Sequence, residues 1–174
     1  MTISNNNKSH ASLAKTVLTH PVHFLAFGLG SGLSPKAPGT FGTLVAIPLY
    51  LLLTPLSLLE YSIFLAIFTL FSIYIAGKSA NLLGIHDHGG IVIDEICGYL
   101  LTMLLMPPDW LWIVLGFLLF RLFDIVKPWP ISILDRRVSG GFGIVVDDLM
   151  AGIYALLSLE LIAWLVKQFS SSIL

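Results

Sequence analysis

The chain has 174 residues, nine Lys and Arg against ten Asp and Glu, and a formal net charge of −1, so it lacks the basic field that nucleic-acid binding requires. Hydrophobic residues make up 56% and charged residues 11%, with a mean hydropathy of +0.92. That composition excludes the ordinary soluble class and points to one membrane domain. The lone cysteine, Cys97, excludes an intramolecular disulfide and a Cys-rich zinc site and reads as a packing residue.

Residues 1–21 are polar and lack the apolar stretch ending in small residues that marks a cleaved signal, which predicts a flexible N-terminal tail before a membrane domain over 22–174. Next comes Pro38–Thr43, PGTFGT, where backbone N–H groups at a helix start, with Lys36, Gly39 and Thr40, form a candidate anion site. Gly and Thr before a helix most often only turn and cap it. No Gly-Lys-Ser/Thr follows the glycines, and Gly28, Gly30 and Gly32 miss the dinucleotide spacing, so ATP and NAD are unsupported.

Five apolar runs follow, at about Phe41–Leu59, Tyr61–Gly77, Ile91–Met106, Trp110–Val126 and Leu149–Val166. A spanning helix needs roughly 17–25 residues, so four suffice and the third is marginal. Pro48 and Pro55 are expected to kink the first. His86 and His88 have no further ligands nearby and read as a solvated loop. Pro130–Val138 sets Trp129, Ile131, Ile133 and Leu134 against Arg136 and Arg137, which predicts a short interfacial helix stopped by Gly140-Gly141. Gly140, Gly141 and Gly143 then turn the chain toward Asp147, with Asp147-Asp148 beginning the last helix. The expected fold is all-α: a multi-pass membrane bundle of about five apolar helices and a short interfacial helix.

With five crossings and a cytoplasmic N-terminus, Lys8, Lys15, Lys36, Lys78, Lys127, Arg136 and Arg137 fall inside and Lys167 alone outside. If the third run did not cross, that bias would largely vanish. The five-crossing topology also brings Lys36, Asp94, Glu95, Asp124, Lys127, Asp135, Arg136, Asp147 and Asp148 to one face, the cytoplasmic one.

Eight of the nineteen charged side chains crowd into Arg121–Asp148, between two runs apolar enough for lipid. An ionised group there costs roughly 2.5–3.5 kcal/mol on insertion scales, so such a cluster reads first as a working site. Arg121, Asp124 and Lys127, three apart, share one helical face and can point at one ligand; the bland alternative is a neutralised ion-pair ladder. Asp94-Glu95 and Asp147-Asp148 each offer a carboxylate near a helix start, and one of each pair can serve as a cap. Helical neighbours diverge by about 100°, so one member of each pair is expected to serve an ion. Glu95, Asp124 and Asp148 are the expected ligands, with Asp94 and Asp147 close behind. Carboxylates without His or Cys suit a hard cation such as Mg²⁺. Arg136 is a candidate for a lipid headgroup, while Arg137 reads equally as a topology anchor. Glu160, roughly 18 Å along a helix from Asp148, is too far to join the site.

Carboxylates, basic side chains and an anion turn beside lipid fit chemistry on a headgroup phosphate. GSGLSPKAPGTFGTL at Gly30–Leu44, IDEICG at Ile93–Gly98, FRLFDIVKPWPI at Phe120–Ile131 and GGFGIVVDDLMAG at Gly140–Gly152 together resemble the phosphatidylglycerophosphatase A family. The resemblance runs from about Phe27 to the last span. It implies a Mg²⁺-dependent, multi-pass enzyme of the bacterial inner membrane that hydrolyses the terminal phosphomonoester of phosphatidylglycerophosphate. The family pattern falls on Lys36, Thr40, Asp94, Glu95, Arg121, Asp124, Lys127, Asp147 and Asp148. The expected roles are metal binding for Glu95, Asp124 and Asp148, catalysis for Asp124, Lys127, Arg121, Asp94 and Asp147, and substrate binding for Lys36, Gly39, Thr40 and Arg136. The expected partners are the phospholipid and the membrane, with a homo-oligomer left open.

Rival chemistries lack their signatures. There is no Asp-Gly-x-x-Ala-Arg of CDP-alcohol phosphotransferases, no Asp-x-Asp and no Pro-Ser-Gly-His. A small helical transporter or channel with intramembrane charges remains the alternative, favoured by Glu160 alone.

Overall fold

The computed structural model describes residues 12–85 and 88–171, and every regular element among them is helical. In chain order these are α1 (12–19), α2 (Pro21–Ala26), a 3-10 segment (Gly28–Leu33), α3 (Pro38–Leu53), α4 (Leu58–Leu83), α5 (Ile93–Thr102), α6 (Trp110–Val126), α7 (Ile131–Arg137) and α8 (Gly140–Ser171).

Local chemistry sets most boundaries. Pro38 opens α3 at the first helical position, where its missing N–H costs nothing. Ser57 and Glu60 form a reciprocal capping box on α4, and Gly84 ends that helix at φ 67. Asp109 accepts from the Leu111 N–H at the start of α6. Lys127 ends α6 in the left-handed region at φ 44, with Pro128 after it.

The five long segments alternate in direction between two ends. At one end Gly39 of α3 meets Glu95 of α5 and Arg121 of α6, and Gly77 of α4 meets Gly141 of α8. At the other, Tyr50 of α3 donates to the Met106 carbonyl (2.7 Å) and Tyr61 of α4 to the Leu100 carbonyl (2.9 Å). These hydroxyls satisfy carbonyls left open where α5 stops. α5 itself is the core element: Ile93, Ile96, Cys97, Tyr99 and Leu100 are all buried. Cys97 packs there, its sulfur 3.1 Å from the Thr69 hydroxyl.

The described residues differ from several expectations. Residues 12–19 of the expected tail are helical and Val17 is fully buried, while residues 1–11 lie outside the described part. α8 begins at Gly140, whose φ of 76 makes the expected turn, while Gly141 and Gly143 lie within the helix and Asp147-Asp148 sits two turns in. α3 continues through Pro48, and Pro55 falls in the turn beyond it. Among the described residues, α4 and α8 are the two helices long and apolar enough to cross a membrane by themselves, where five apolar helices were expected. α5 has 10 residues, about 15 Å of helix against a hydrocarbon thickness of about 30 Å. The rest of its apolar run continues as turns to Met106.

The outer surface is apolar. Leu59, Ile63, Ile67 and Leu70 on α4 and Leu157, Leu161 and Trp164 on α8 are all exposed, more apolar surface than a water-facing protein carries. Glycines bring the helices close inside. A Cβ at Gly141 would lie 2.0 Å from the Ile73 carbonyl oxygen of α4, and one at Gly152 would lie 2.5 Å from the Gly98 carbonyl oxygen of α5. Gly141→Ala is therefore expected to lower stability by about 1–3 kcal/mol through overpacking, read as a reduced thermal midpoint in detergent; an unchanged midpoint would show that α4 and α8 are free to separate.

Candidate active site

Four helices each deliver charge to one end of the bundle. The first turn of α5 carries Asp94 and Glu95, the end of α6 carries Arg121, Asp124 and Lys127, α7 carries Asp135, and the second and third turns of α8 carry Asp147 and Asp148. Six carboxylates and Lys127 line a cavity of about 180 Å³ there, with Gly89, Ile91, Val138, Gly143 and Ile144 completing its wall.

Asp94, Glu95 and Asp148 each offer a carboxylate oxygen within 4.8 Å of the other two, the one such metal-competent group among the described residues. Both neighbours Asp94 and Glu95 reach in, where one was expected. Asp94 Oδ1, Glu95 Oε2 and Asp148 Oδ2 are buried without a hydrogen-bond partner. Buried carboxylate oxygens are costly unless protonated, paired or bound to a cation. The donors are all hard oxygens, which fits Mg²⁺ and does not fit zinc.

The basic groups are already engaged. Arg121 Nη1 donates to Asp124 Oδ2 at 2.5 Å and lies 3.8 Å from Glu95 Oε1. Asp124, an expected metal ligand, thus has one oxygen held by Arg121, and Asp94 takes its place in the close triad; Asp124 still lies beside Asp148 and Glu95. Lys127 Nζ donates to Asp135 Oδ1 at 2.5 Å and to Asp147 Oδ2 at 2.6 Å. Burial pulls the Lys127 ammonium down, but those two hydrogen bonds and charges more than offset it, so Lys127 titrates above the usual lysine range.

Gly39 is buried, and a Cβ on it would lie 2.0 Å from Glu95 Oε1 and 2.9 Å from Arg121 Nη1. Its place in the site is this close approach. The Thr40 and Phe41 N–H groups bond back to the Ala37 carbonyl, which removes them as anion donors. Lys36 and Arg136 are exposed and outside the cavity wall. The neighbour of Arg136, Asp135, lines the wall instead, a position that sequence reasoning placed on the face but not in the site. His88 stacks near Phe27, ring centroids 5.3 Å apart, and accepts from the Gly90 N–H; His86 lies outside the described residues. Glu160 is exposed on α8.

The described residues define an all-helical protein with two membrane-length helices and an oxygen-rich cavity whose carboxylates could hold a cation. The family model described as phosphatidylglycerophosphatase A matches residues 24–163. Phosphatidylglycerophosphatase A of Escherichia coli (strain K12) is 45% identical over 147 residues, covering 83% of this chain and 86% of that protein. The Haemophilus influenzae protein of the same name is 44% identical, covering 83% and 90%. A Bacteroides thetaiotaomicron protein named "Putative phosphatidylinositol-3-phosphatase" is 38% identical, covering 80% and 91%. No solved structure matches the chain. The chain belongs to the phosphatidylglycerophosphatase A family and is an enzyme, a phosphoric monoester hydrolase.

Gly39→Ala should push Glu95 out of the triad and lower divalent-cation affinity by about tenfold or more, the range for groups that orient metal ligands. Mn²⁺ titration checks this, and unchanged affinity would remove Glu95 from the cation's shell.

Proposed function

We propose that this enzyme hydrolyses the terminal phosphomonoester of phosphatidylglycerophosphate to phosphatidylglycerol and phosphate, with Mg²⁺ as cofactor, in bacterial phospholipid biosynthesis. The observation that carries the reading is the Asp94–Glu95–Asp148 triad, whose residues carry buried, unpartnered oxygens and line a polar cavity at one end of an apolar bundle. The relatives' names supply the substrate: those from Escherichia coli and Haemophilus influenzae name phosphatidylglycerophosphate hydrolysis, and the third names another phosphorylated lipid.

In this reading the triad holds the ion, with Asp124 beside it. Mg²⁺, when bound, supplies Lewis-acid polarisation of the phosphoryl group. Arg121 and Lys127 offset charge that spreads over the phosphoryl oxygens as the phosphorus–oxygen bond to the lipid glycerol breaks. Asp124, Asp94 and Asp147 are placed to handle the proton that water gives up as its oxygen bonds to phosphorus, or to present a carboxylate nucleophile; trapping after acid quench separates these routes. Gly39 and Thr40 position the α3 start against the site. Lys36 and Arg136, on the exposed rim, meet the outer headgroup rather than the reacting phosphate.

Membrane placement belongs to the same proposal. α3, α4, α5 with its following turns, α6 and α8 would give five passages. Lys15, Lys36, Lys78, Lys127, Arg136 and Arg137 would lie at the site end, with Lys167 at the other. The positive-inside rule then sets the site at the cytoplasmic face of the inner membrane. The transporter alternative loses its one support, because Glu160 is on the outer surface of α8 rather than in a path between helices.

Purified protein in mixed micelles should release phosphate from phosphatidylglycerophosphate with Mg²⁺, stop with EDTA and recover when Mg²⁺ returns. Phosphatidylinositol 3-phosphate as a parallel substrate tests selectivity, and chelator-insensitive release would remove the metal from the mechanism. Asp124→Asn, which keeps an acceptor for Arg121, should abolish turnover with the thermal midpoint retained; a fully active variant would take Asp124 out of the chemistry.

A further inference from the structure

The charge around the cavity does not balance with one divalent ion. Six carboxylates line it, Asp94, Glu95, Asp124, Asp135, Asp147 and Asp148, and the cations touching them are Arg121 and Lys127. With every carboxylate ionised, the formal excess is four negative charges, and one divalent ion on the triad leaves two. A phosphomonoester carries about −1.5 to −2 at neutral pH. It would therefore meet net repulsion in a site that must attract it. A second divalent ion brings the cavity to formal neutrality before the phosphate arrives.

Charge alone does not define a place for that ion; Asp147 does. Its residue is 6% exposed. One oxygen, Oδ2, accepts from Lys127 at 2.6 Å. The other, Oδ1, is buried with no partner, on a residue that lines the cavity. Asp147 is not in the group of three whose oxygens lie within 4.8 Å of one another, so the triad's ion does not account for that orphan oxygen. Asp94 belongs to the triad, lines the same cavity as Asp147, and has its own unpartnered Oδ1. It is the carboxylate that two ions can share.

We propose that the cavity binds a second divalent cation through Asp147 and Asp94, beside the ion held by the Asp94–Glu95–Asp148 triad. Small hard cations are commonly held by one or two protein carboxylates, with water and phosphate oxygens filling the remaining positions. The phosphate itself therefore completes the site, and paired ions clamp both sides of a phosphoryl centre in hydrolysis. Lys127 keeps Oδ2 of Asp147 occupied and leaves Oδ1 as the oxygen free to take a cation. The proposal rests on the phosphatase reading only for the phosphate ligand, and the experiment separates the two.

The test uses the full-length protein in detergent, with Mn²⁺ as the ion and inorganic phosphate as the ligand. Equilibrium dialysis gives ions per chain, and electron paramagnetic resonance shows whether bound ions are neighbours. Two Mn²⁺ per chain with phosphate present and an exchange-coupled multiline spectrum are expected. Asp147→Asn should bind one, with the spectrum of an isolated ion. One Mn²⁺ per chain in the unaltered protein with phosphate, or two in Asp147→Asn, would overturn the second site. The unaltered protein's stoichiometry decides the matter even if the variant does not fold. Two coupled ions without phosphate release from the lipid would keep the second site and sink the assigned reaction; release with one ion bound would do the reverse.

Discussion

Asp94, Asp147 and Asp148 are 9, 6 and 4% exposed, at the meeting of α5 and α8, and the cavity they line holds one basic side chain, Lys127. Arg121 stands behind, occupied by Asp124. Left to themselves, these carboxylates repel and favour a looser arrangement that lets water in. What holds them is the packing of apolar helices from which they project. The close approaches of Gly98 to Gly152 and of Gly77 to Gly141 leave no gap for the helices to settle apart. The fold thus stores unfavourable electrostatics in exchange for a strong demand for positive charge at one point. That demand comes from the chain's own side chains, independent of which lipid it serves.

α5 makes the arrangement possible by being short. A helix of membrane length would put its first turn at the surface, with the acids in water. This one has 10 residues and is surrounded by α3, α4, α6 and α8, so its acidic first turn starts inside the bundle. Its early end opens backbone carbonyls in an apolar setting, and Tyr61 and Tyr50 answer from α4 and α3. Tyr99 donates in the same way to Ile113 of α6 (3.1 Å). Three tyrosine hydroxyls tie the distal end of the short segment, and the carboxylates occupy the proximal end.

The sequence told much of this, through charge where charge is expensive. The cluster in Arg121–Asp148 and the pair at Asp94-Glu95 stood out because apolar residues flank them, and the three-residue spacing of Arg121, Asp124 and Lys127 placed them on one face. Apolar run length was a poorer guide. Ile91–Met106 counts as one run, but its helix stops at Thr102, since hydropathy does not record where Tyr61 and Tyr50 will satisfy backbone groups. Of the glycines read as a turn, Gly140 keeps that role with a left-handed φ of 76, whereas Gly141 is held inside the helix by close contact with Ile73 and Gly77. Asp135 was hidden for a different reason. Its pairing with Lys127 crosses the Pro128–Pro130 break, and no periodicity carries across that break.

The basic residues divide into two populations. Arg121 is mostly buried, at 14% side-chain exposure, and Lys127 partly so, at 29%; both are bound to acids. Lys36, Arg136 and Arg137 are exposed. A headgroup with phosphates at two depths calls for both: fixed inner charges at the reacting phosphate, where low dielectric magnifies them, and mobile outer ones where water screens them. Lys127 links the populations, since one ammonium joins the exposed Asp135 of α7 to the buried Asp147 of α8. The short helix α7 is thereby tied to α8 through one ammonium, which joins the protein's surface to its acidic interior.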